Sequence, residues 1–279
     1  MIIATLKAWF ESTRLALQNV PGLAMSAFLY ALLLASLYLF VSTRVATVWQ
    51  VFITFVFLVL IPAEFFVLQA SILAHAQEAE RQWRVILISA IKLFVITIPI
   101  LIIGYGLWIL LNKWQFQHPA PRPPFVLPPA AAKPQPLHWP SLLFATVRGL
   151  LFAVLLPLAT IHLWFEVAAH DLRTLFSGGA GPTLKRLGAV MSRAFTSSAV
   201  FIYALGLILF ALIPYALLFA HLSPKGTKTD FAVFIFRLLF VFAFSLFGWI
   251  VTLTALSRAG KSEPAVSNPQ ISVPAEATA

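Results

Sequence analysis

Six long runs of apolar residues make up most of this chain and decide which solvent it can fold in. The runs lie at residues 20–41, 48–73, 93–111, 149–165, 199–220 and 238–256. A helix needs about 20 apolar residues to cross a hydrocarbon core of roughly 30 Å, and every run reaches or approaches that length. The sequence therefore predicts an all-α, polytopic integral membrane protein with six transmembrane helices.

The composition also indicates a membrane environment, and it limits the chemistry that the side chains can perform. Of the 279 residues, 61% are hydrophobic and 10% are charged, whereas soluble proteins average about 45–50% apolar and 25% charged residues. One six-helix domain over residues 1–258 is predicted, followed by a small, polar tail at 259–279 that we expect to be disordered. The absence of cysteine from the sequence excludes disulfides, thiolate catalysis and cysteine-ligated metals. We expect no cofactor.

The net charge of +10 is explained by membrane orientation, because the 19 Lys and Arg residues are spread over the connections between spans. Nucleic acid is therefore not an expected partner. Counted by alternate sides of the six spans, about eleven basic residues fall on the side of the termini and about eight on the other. We predict a multi-pass protein of the cell (plasma) membrane with both termini in the cytoplasm. The expected partners are the lipid bilayer and other membrane proteins.

Three stretches of mixed polarity precede the first, third and fifth spans, at residues 5–19, 80–92 and 183–197. Each places basic residues on one face at helical spacing, which is typical of a helix that lies in the headgroup plane. The predicted unit is an amphipathic interfacial helix, a span out and a span back. The chain contains this unit three times, as three helical hairpins.

Prolines interrupt this pattern in two ways. The segment 117–140 contains nine prolines, so we predict an extended polyproline II loop there. Pro62, Pro99, Pro157 and Pro214 instead lie inside four different spans, where each removes a backbone donor and is predicted to kink its helix.

Ionisable residues at membrane depth are the first candidates for function, since a central charge costs at least about 2.5 kcal/mol. Glu64 lies inside the second span, two residues after Pro62. We expect it to be protonated or paired with a cation, and its expected partners are Arg237, Lys92 or His162. A structural role in holding helices together and a role in proton relay or substrate binding both remain open.

A second group of candidates lies on the fourth span. His162, Glu166 and His170 follow one another at intervals of four residues, so they share one helical face, and Asp171 adjoins them. His and Glu at this spacing can bind a divalent metal or a headgroup, and His75 at the end of the second span could complete the site. The pattern is not the HExxH motif of zinc proteases.

Three functions are compatible with these residues. The first is a non-enzymatic protein that acts through helix packing, lipid contact or partner proteins, which the lack of a convergent polar cluster favours. The second is a transporter of a small solute or lipid, with Glu64 as its protonatable group. The third is a membrane enzyme that acts on lipid headgroups through the His162, Glu166 and His170 face. The substrate cannot be read from the sequence.

Overall fold

The computed structural model describes residues 2–43, 47–77, 82–118, 139–170, 179–220 and 227–262, and within these ranges all regular secondary structure is helical. The helices are α1 (Ile2–Gln18), α2 (Val20–Ser42), α3 (Val48–Ala76), α4 (Trp83–Gln117), α5 (Trp139–Ala169), α6 (Ala180–Ala194), α7 (Ser197–Phe219) and α8 (Thr227–Ser262). A stretch of π-helix lies within α5 at Leu150–Leu155 and within α7 at Ile208–Leu212.

Within the described residues, six helices are long and apolar enough to cross a membrane: α2, α3, α4, α5, α7 and α8. This confirms the six long apolar helices predicted from the sequence. At most 22% of the apolar window of each helix is buried inside the protein. Most of their apolar side chains therefore face outward.

Side-chain caps determine where several of these helices begin. Asn19 separates α1 from α2, and its side chain accepts a hydrogen bond from the Gly22 N–H. Thr47 and Gln50 form a capping box at the start of α3. Thr196 accepts a hydrogen bond from the third residue of α7. Each cap satisfies a backbone N–H that the first turn of a helix leaves without a partner.

The long helices pack mainly as neighbours in sequence, α2 on α3, α3 on α4, α4 on α5 and α7 on α8. Helix α8 also contacts α1 and α3, which brings the last described helix against the first. Helix α6 packs on α5.

The bundle is tight at one end and open at the other. Residues 66–76 of α3 and 246–257 of α8 are largely buried, whereas none of residues 48–60 of α3 or 228–240 of α8 is buried. The tight end is rich in Ala, Ser and Thr, and small side chains allow helices to approach closely. The open end is rich in Phe, and the Phe231, Phe236 and Phe240 side chains are exposed there.

Helix α4 differs from its prediction. Residues 80–92 were expected to form a separate interfacial helix, but α4 runs without a break from Trp83 to Gln117. Its buried residues Ile86, Ala90, Leu93 and Thr97 continue one stripe at helical spacing across the expected break. No Gly or Pro interrupts this stretch, so the helix continues. By contrast, α1 and α6 are separate helices that precede α2 and α7.

The predicted ends of two irregular segments also change. Residues 259–262, expected to begin the tail, belong to α8. Gln117 ends α4, and Trp139 and Pro140 begin α5, where a proline in the first turn costs no hydrogen bond. The rest of the Pro-rich segment, 119–138, and of the tail, 263–279, lies outside the described residues.

Candidate functional site

A cavity of about 930 Å³ lies between the six long helices, each of which contributes to its wall. Among the described residues that line it, none is Asp, Glu, Lys, Arg or His. Eight of them are aromatic: Tyr30, Phe65, Tyr105, Trp108, Phe152, Trp164, Phe210 and Trp249. The surface of the cavity is therefore apolar and uncharged, with a few neutral polar groups.

Charged residues bracket this cavity along three of its helices. The brackets are Lys92 and Lys113 on α4, Arg148 and Glu166 on α5, and Arg237 and Arg258 on α8. Each pair is separated by about 27–32 Å of helix, close to the roughly 30 Å of a hydrocarbon core. All cavity residues of these helices lie between the two brackets. The cavity thus lies in the middle of the apolar part of the helix bundle.

The cavity is open along α4. Leu101 and Tyr105 line it and are still 63% and 68% exposed. Both lie within the apolar part of α4, between Lys92 and Lys113. The cavity is therefore accessible from the side of the bundle, between its charged ends.

Hydrogen bonds between helices fix two of the tryptophan rings of the cavity. The indole N–H of Trp249 donates to Oε1 of Gln69 at 2.8 Å and joins α8 to α3. The indole N–H of Trp164 donates to the Thr97 hydroxyl at 2.9 Å, and that hydroxyl donates to the Leu93 carbonyl at 2.6 Å. Buried indoles require such acceptors, and here the acceptors hold the walls of the cavity in place.

The wall on α5 contains a break in regular hydrogen bonding. Pro157 has no N–H, so the carbonyl of Ala153 loses its α-helical partner. The chain follows a π-helical path before this proline, with the Leu156 N–H bonded to the Leu151 carbonyl. The hydroxyl of Tyr203 on α7 donates to the Ala153 carbonyl at 3.0 Å. A side chain thus bonds the carbonyl that lacks its regular α-helical donor, the N–H of residue 157.

Helix α7 has a related break, with its π-helical stretch directly before Pro214. Here Gly248 of α8 lies against the π-helical backbone, since a Cβ at Gly248 would be only 3.0 Å from the Leu209 Cβ and the Phe210 nitrogen. Pro62 and Pro99 also lie inside helices, but α3 and α4 contain no π-helical stretch.

Glu64 lies on α3, one of the helices that form the cavity, but does not line the cavity. Its Oε1 accepts a hydrogen bond from the Ser36 hydroxyl of α2 at 3.0 Å, and its buried Oε2 has no hydrogen-bond partner in the described part of the chain. The partner that the structure provides is therefore Ser36. The three expected partners, Arg237, Lys92 and His162, form no hydrogen bond with Glu64 there.

The polar face of α5 is divided among different partners. Glu166 forms an ion pair with Arg193 of α6 at 3.0 Å, and His170 lies 3.7 Å from its other carboxylate oxygen. His162 is buried, with Nδ1 3.0 Å from the Leu158 carbonyl oxygen. Among the described residues, no three His, Asp or Glu side chains are grouped so that they could hold a metal.

The remaining candidates lie apart from this face. His75 borders a separate cavity of about 350 Å³ together with Ala16 and Asn19 from the start of the chain and Thr254 from α8. Arg237 lies on α8 in a row of exposed apolar side chains. Asp171 is outside the described residues.

The sequence contained signals for the cavity that were not used to predict it. Gln69, Thr97 and Trp164 are polar or amphipathic residues inside apolar runs, and such residues tend to face the interior of a bundle. Their pairing could not be inferred because it depends on which helices are neighbours.

No protein-family model, curated protein or solved structure matches this chain. The geometry of the cavity is therefore the basis for the function proposed next.

Proposed function

We propose that this chain is a non-enzymatic, multi-pass integral membrane protein that binds a lipid in its central cavity. The observation that carries the proposal is the cavity of about 930 Å³, which has an uncharged lining and opens along α4. Its volume falls within the range of about 300–1,000 Å³ typical of ligand sites. Its position between the charged brackets favours a ligand that is already dissolved in the bilayer.

The proposed arrangement in the membrane has three hairpins, formed by α2 and α3, α4 and α5, and α7 and α8. It is supported by the packing of each pair and by the outward apolar faces of all six helices. Helices α1 and α6 would lie in the headgroup plane, because each has exposed basic residues and a narrow buried face. In this arrangement both termini are in the cytoplasm and the protein resides in the plasma membrane.

The other two hypotheses have less support. Transport driven by Glu64 would need that carboxyl group at the ligand site, but Glu64 does not line the cavity and bonds to Ser36. A headgroup enzyme would need free polar groups on α5, but Glu166 is paired with Arg193. Binding in the cavity requires neither group.

The proposal is tested by filling the cavity. Leu101→Trp adds ring volume at a lining position, whereas Ile102→Trp makes the same change at a neighbouring, 66% exposed position that does not line the cavity. Each variant is purified in mild detergent, and retained lipid is counted by mass spectrometry. We expect Leu101→Trp to lower the lipid retained per protein at least several-fold and Ile102→Trp to retain the wild-type amount. Equal retention by both variants would contradict the proposal.

A further inference from the structure

Gln69 is a cavity-lining residue whose side-chain amide has two hydrogen-bond donors. Its side chain lines the cavity and is only 4% exposed. The indole N–H of Trp249 can only donate, so it fixes the amide with Oε1 toward the indole. The amide nitrogen then points away from Trp249, and in the described part of the chain no hydrogen bond satisfies it.

Several other polar groups of the lining are bonded within the protein. Thr97 and Trp164 bond to each other. The Thr160 hydroxyl donates to the Leu156 carbonyl at 2.7 Å, and the side chains of Tyr30 and Ser245 share a hydrogen bond. The Gln69 amide is therefore a position where a bound molecule with an acceptor can gain a hydrogen bond.

The lining also restricts the charge of the ligand. A phosphate or carboxylate in the cavity would lie at mid-depth with no cation among the lining residues, which is strongly unfavourable. Lys113 does not line the cavity, and the Arg148 guanidinium stacks on the Trp108 ring of its wall, 3.6 Å from the ring centroid, without itself lining the cavity. The polar group of the ligand should therefore be neutral.

We infer that the cavity selects an uncharged lipid with a hydrogen-bond acceptor, such as an ester, amide or ketone carbonyl, and that the Gln69 amide donates to this acceptor. The inference rests on the proposed binding of lipid in the cavity and names the chemical class of that lipid. The aromatic walls surround its hydrocarbon part, and Trp249 is a positioning residue that orients the amide.

Brominated probes can test this selection because bromine quenches tryptophan fluorescence, and Trp108, Trp164 and Trp249 line the cavity. The probes are methyl 9,10-dibromostearate, which is neutral and has a carbonyl acceptor, 9,10-dibromooctadecane, which has none, and ionised 9,10-dibromostearate. We expect the wild-type protein to bind the ester about 3- to 10-fold more tightly than the alkane, the effect of one hydrogen bond. The ionised acid should bind most weakly.

Two variants distinguish a loss of ligand selection from a loss of protein stability. Gln69→Leu removes the donors, so the ester and the alkane should bind equally. Tyr203→Phe removes a different hydrogen bond between helices, at a residue that does not line the cavity, and should still prefer the ester. If both variants keep the preference for the ester, or both lose it to the same extent, the assignment of Gln69 is overturned.

The outcomes for the wild-type protein distinguish the two levels of the argument. If neither the ester nor the alkane quenches in a saturable way, the cavity does not bind lipid and the proposed function fails. If the two bind equally well, or the ionised acid binds best, the cavity binds lipid but the inference about a neutral acceptor is wrong.

Discussion

The hydroxyl of Tyr203 donates to the Ala153 carbonyl at 3.0 Å, and in a regular α-helix the donor to this carbonyl would be the N–H that Pro157 lacks. A tyrosine of α7 thus replaces a hydrogen bond that α5 cannot make with itself. The same contact joins two helices that border the cavity.

Removing this hydroxyl should destabilise the protein. We expect Tyr203→Phe to lower the free energy of unfolding by about 1 kcal/mol, the order measured for hydrogen bonds between membrane helices. Thermal unfolding in detergent can measure the loss. Tyr215→Phe is the matched control, because Tyr215 lies on the same helix and is 62% exposed, and it should unfold like the wild-type protein.

The origin of this loss can be checked with Pro157→Ala, which restores an N–H to residue 157. In that background the backbone can bond the Ala153 carbonyl, so Tyr203→Phe should cost less than it does in the wild-type protein. An equal cost in both backgrounds would show that the proline and the tyrosine are not coupled.

Close packing of α7 against α8 depends on Gly206. A Cβ at this position would overlap the side chain of Thr252. We expect Gly206→Ala to lower the free energy of unfolding by about 1–3 kcal/mol, as overpacking does, and Thr252→Ala to recover part of the loss in the double variant. Gly106→Ala is the control, since a Cβ added at Gly106 would meet no atom within 4 Å; it should not destabilise. Equal effects at both glycines would contradict this packing.

The contact between Ser36 and Glu64 predicts a non-additive pair. Ser36→Ala leaves both carboxyl oxygens of Glu64 without a donor, which should cost about 1–3 kcal/mol. With Glu64→Met, no polar group remains to be satisfied, so the same serine change should cost close to nothing. Unfolding of the two single variants and the double variant measures the coupling. Additive effects would show that the hydrogen bond does not stabilise the bundle.

The proposed orientation can be tested by labelling single cysteines, because the natural chain has none. Lys7→Cys, near the N-terminus, and Ala169→Cys, at the end of α5, should react with a membrane-impermeant maleimide only after the cells are opened. Gln117→Cys, at the end of α4, should react in intact cells. All three positions lie on exposed parts of helices. The reverse labelling pattern would invert the proposed topology.

Hydropathy predicted the number of long helices because the apolar character of a span is a local property of about 20 residues. The continuity of α4 was not predicted, because the charge of Lys92 suggested a helix boundary. The buried residues Ile86, Ala90 and Leu93 lie on one face at helical spacing and indicate a continuous helix. The pairing of Glu64 with Ser36 depends on the rotation of two helices about their axes. Composition contains no information about that rotation.

The cavity could not be predicted from the sequence for the same reason. Each helix contributes only part of the lining, and its neutral residues resemble ordinary apolar positions. The candidate residues predicted from the sequence were ionisable, and in the described part of the chain no charged residue lines the cavity. Tyr203 was likewise missed, although the unpaired carbonyl that it satisfies was predictable from Pro157.

The bond between Gln69 and Trp249 also has a consequence for biosynthesis. The two residues are 180 positions apart, and at about 5–20 residues per second the ribosome needs roughly 10–40 s to pass from one to the other. During this interval the Gln69 amide lacks its native partner, and the wall that α8 contributes to the cavity does not exist. The proposed lipid site is therefore complete only when α8 joins the bundle, so we expect ligand loading to follow the synthesis of α8.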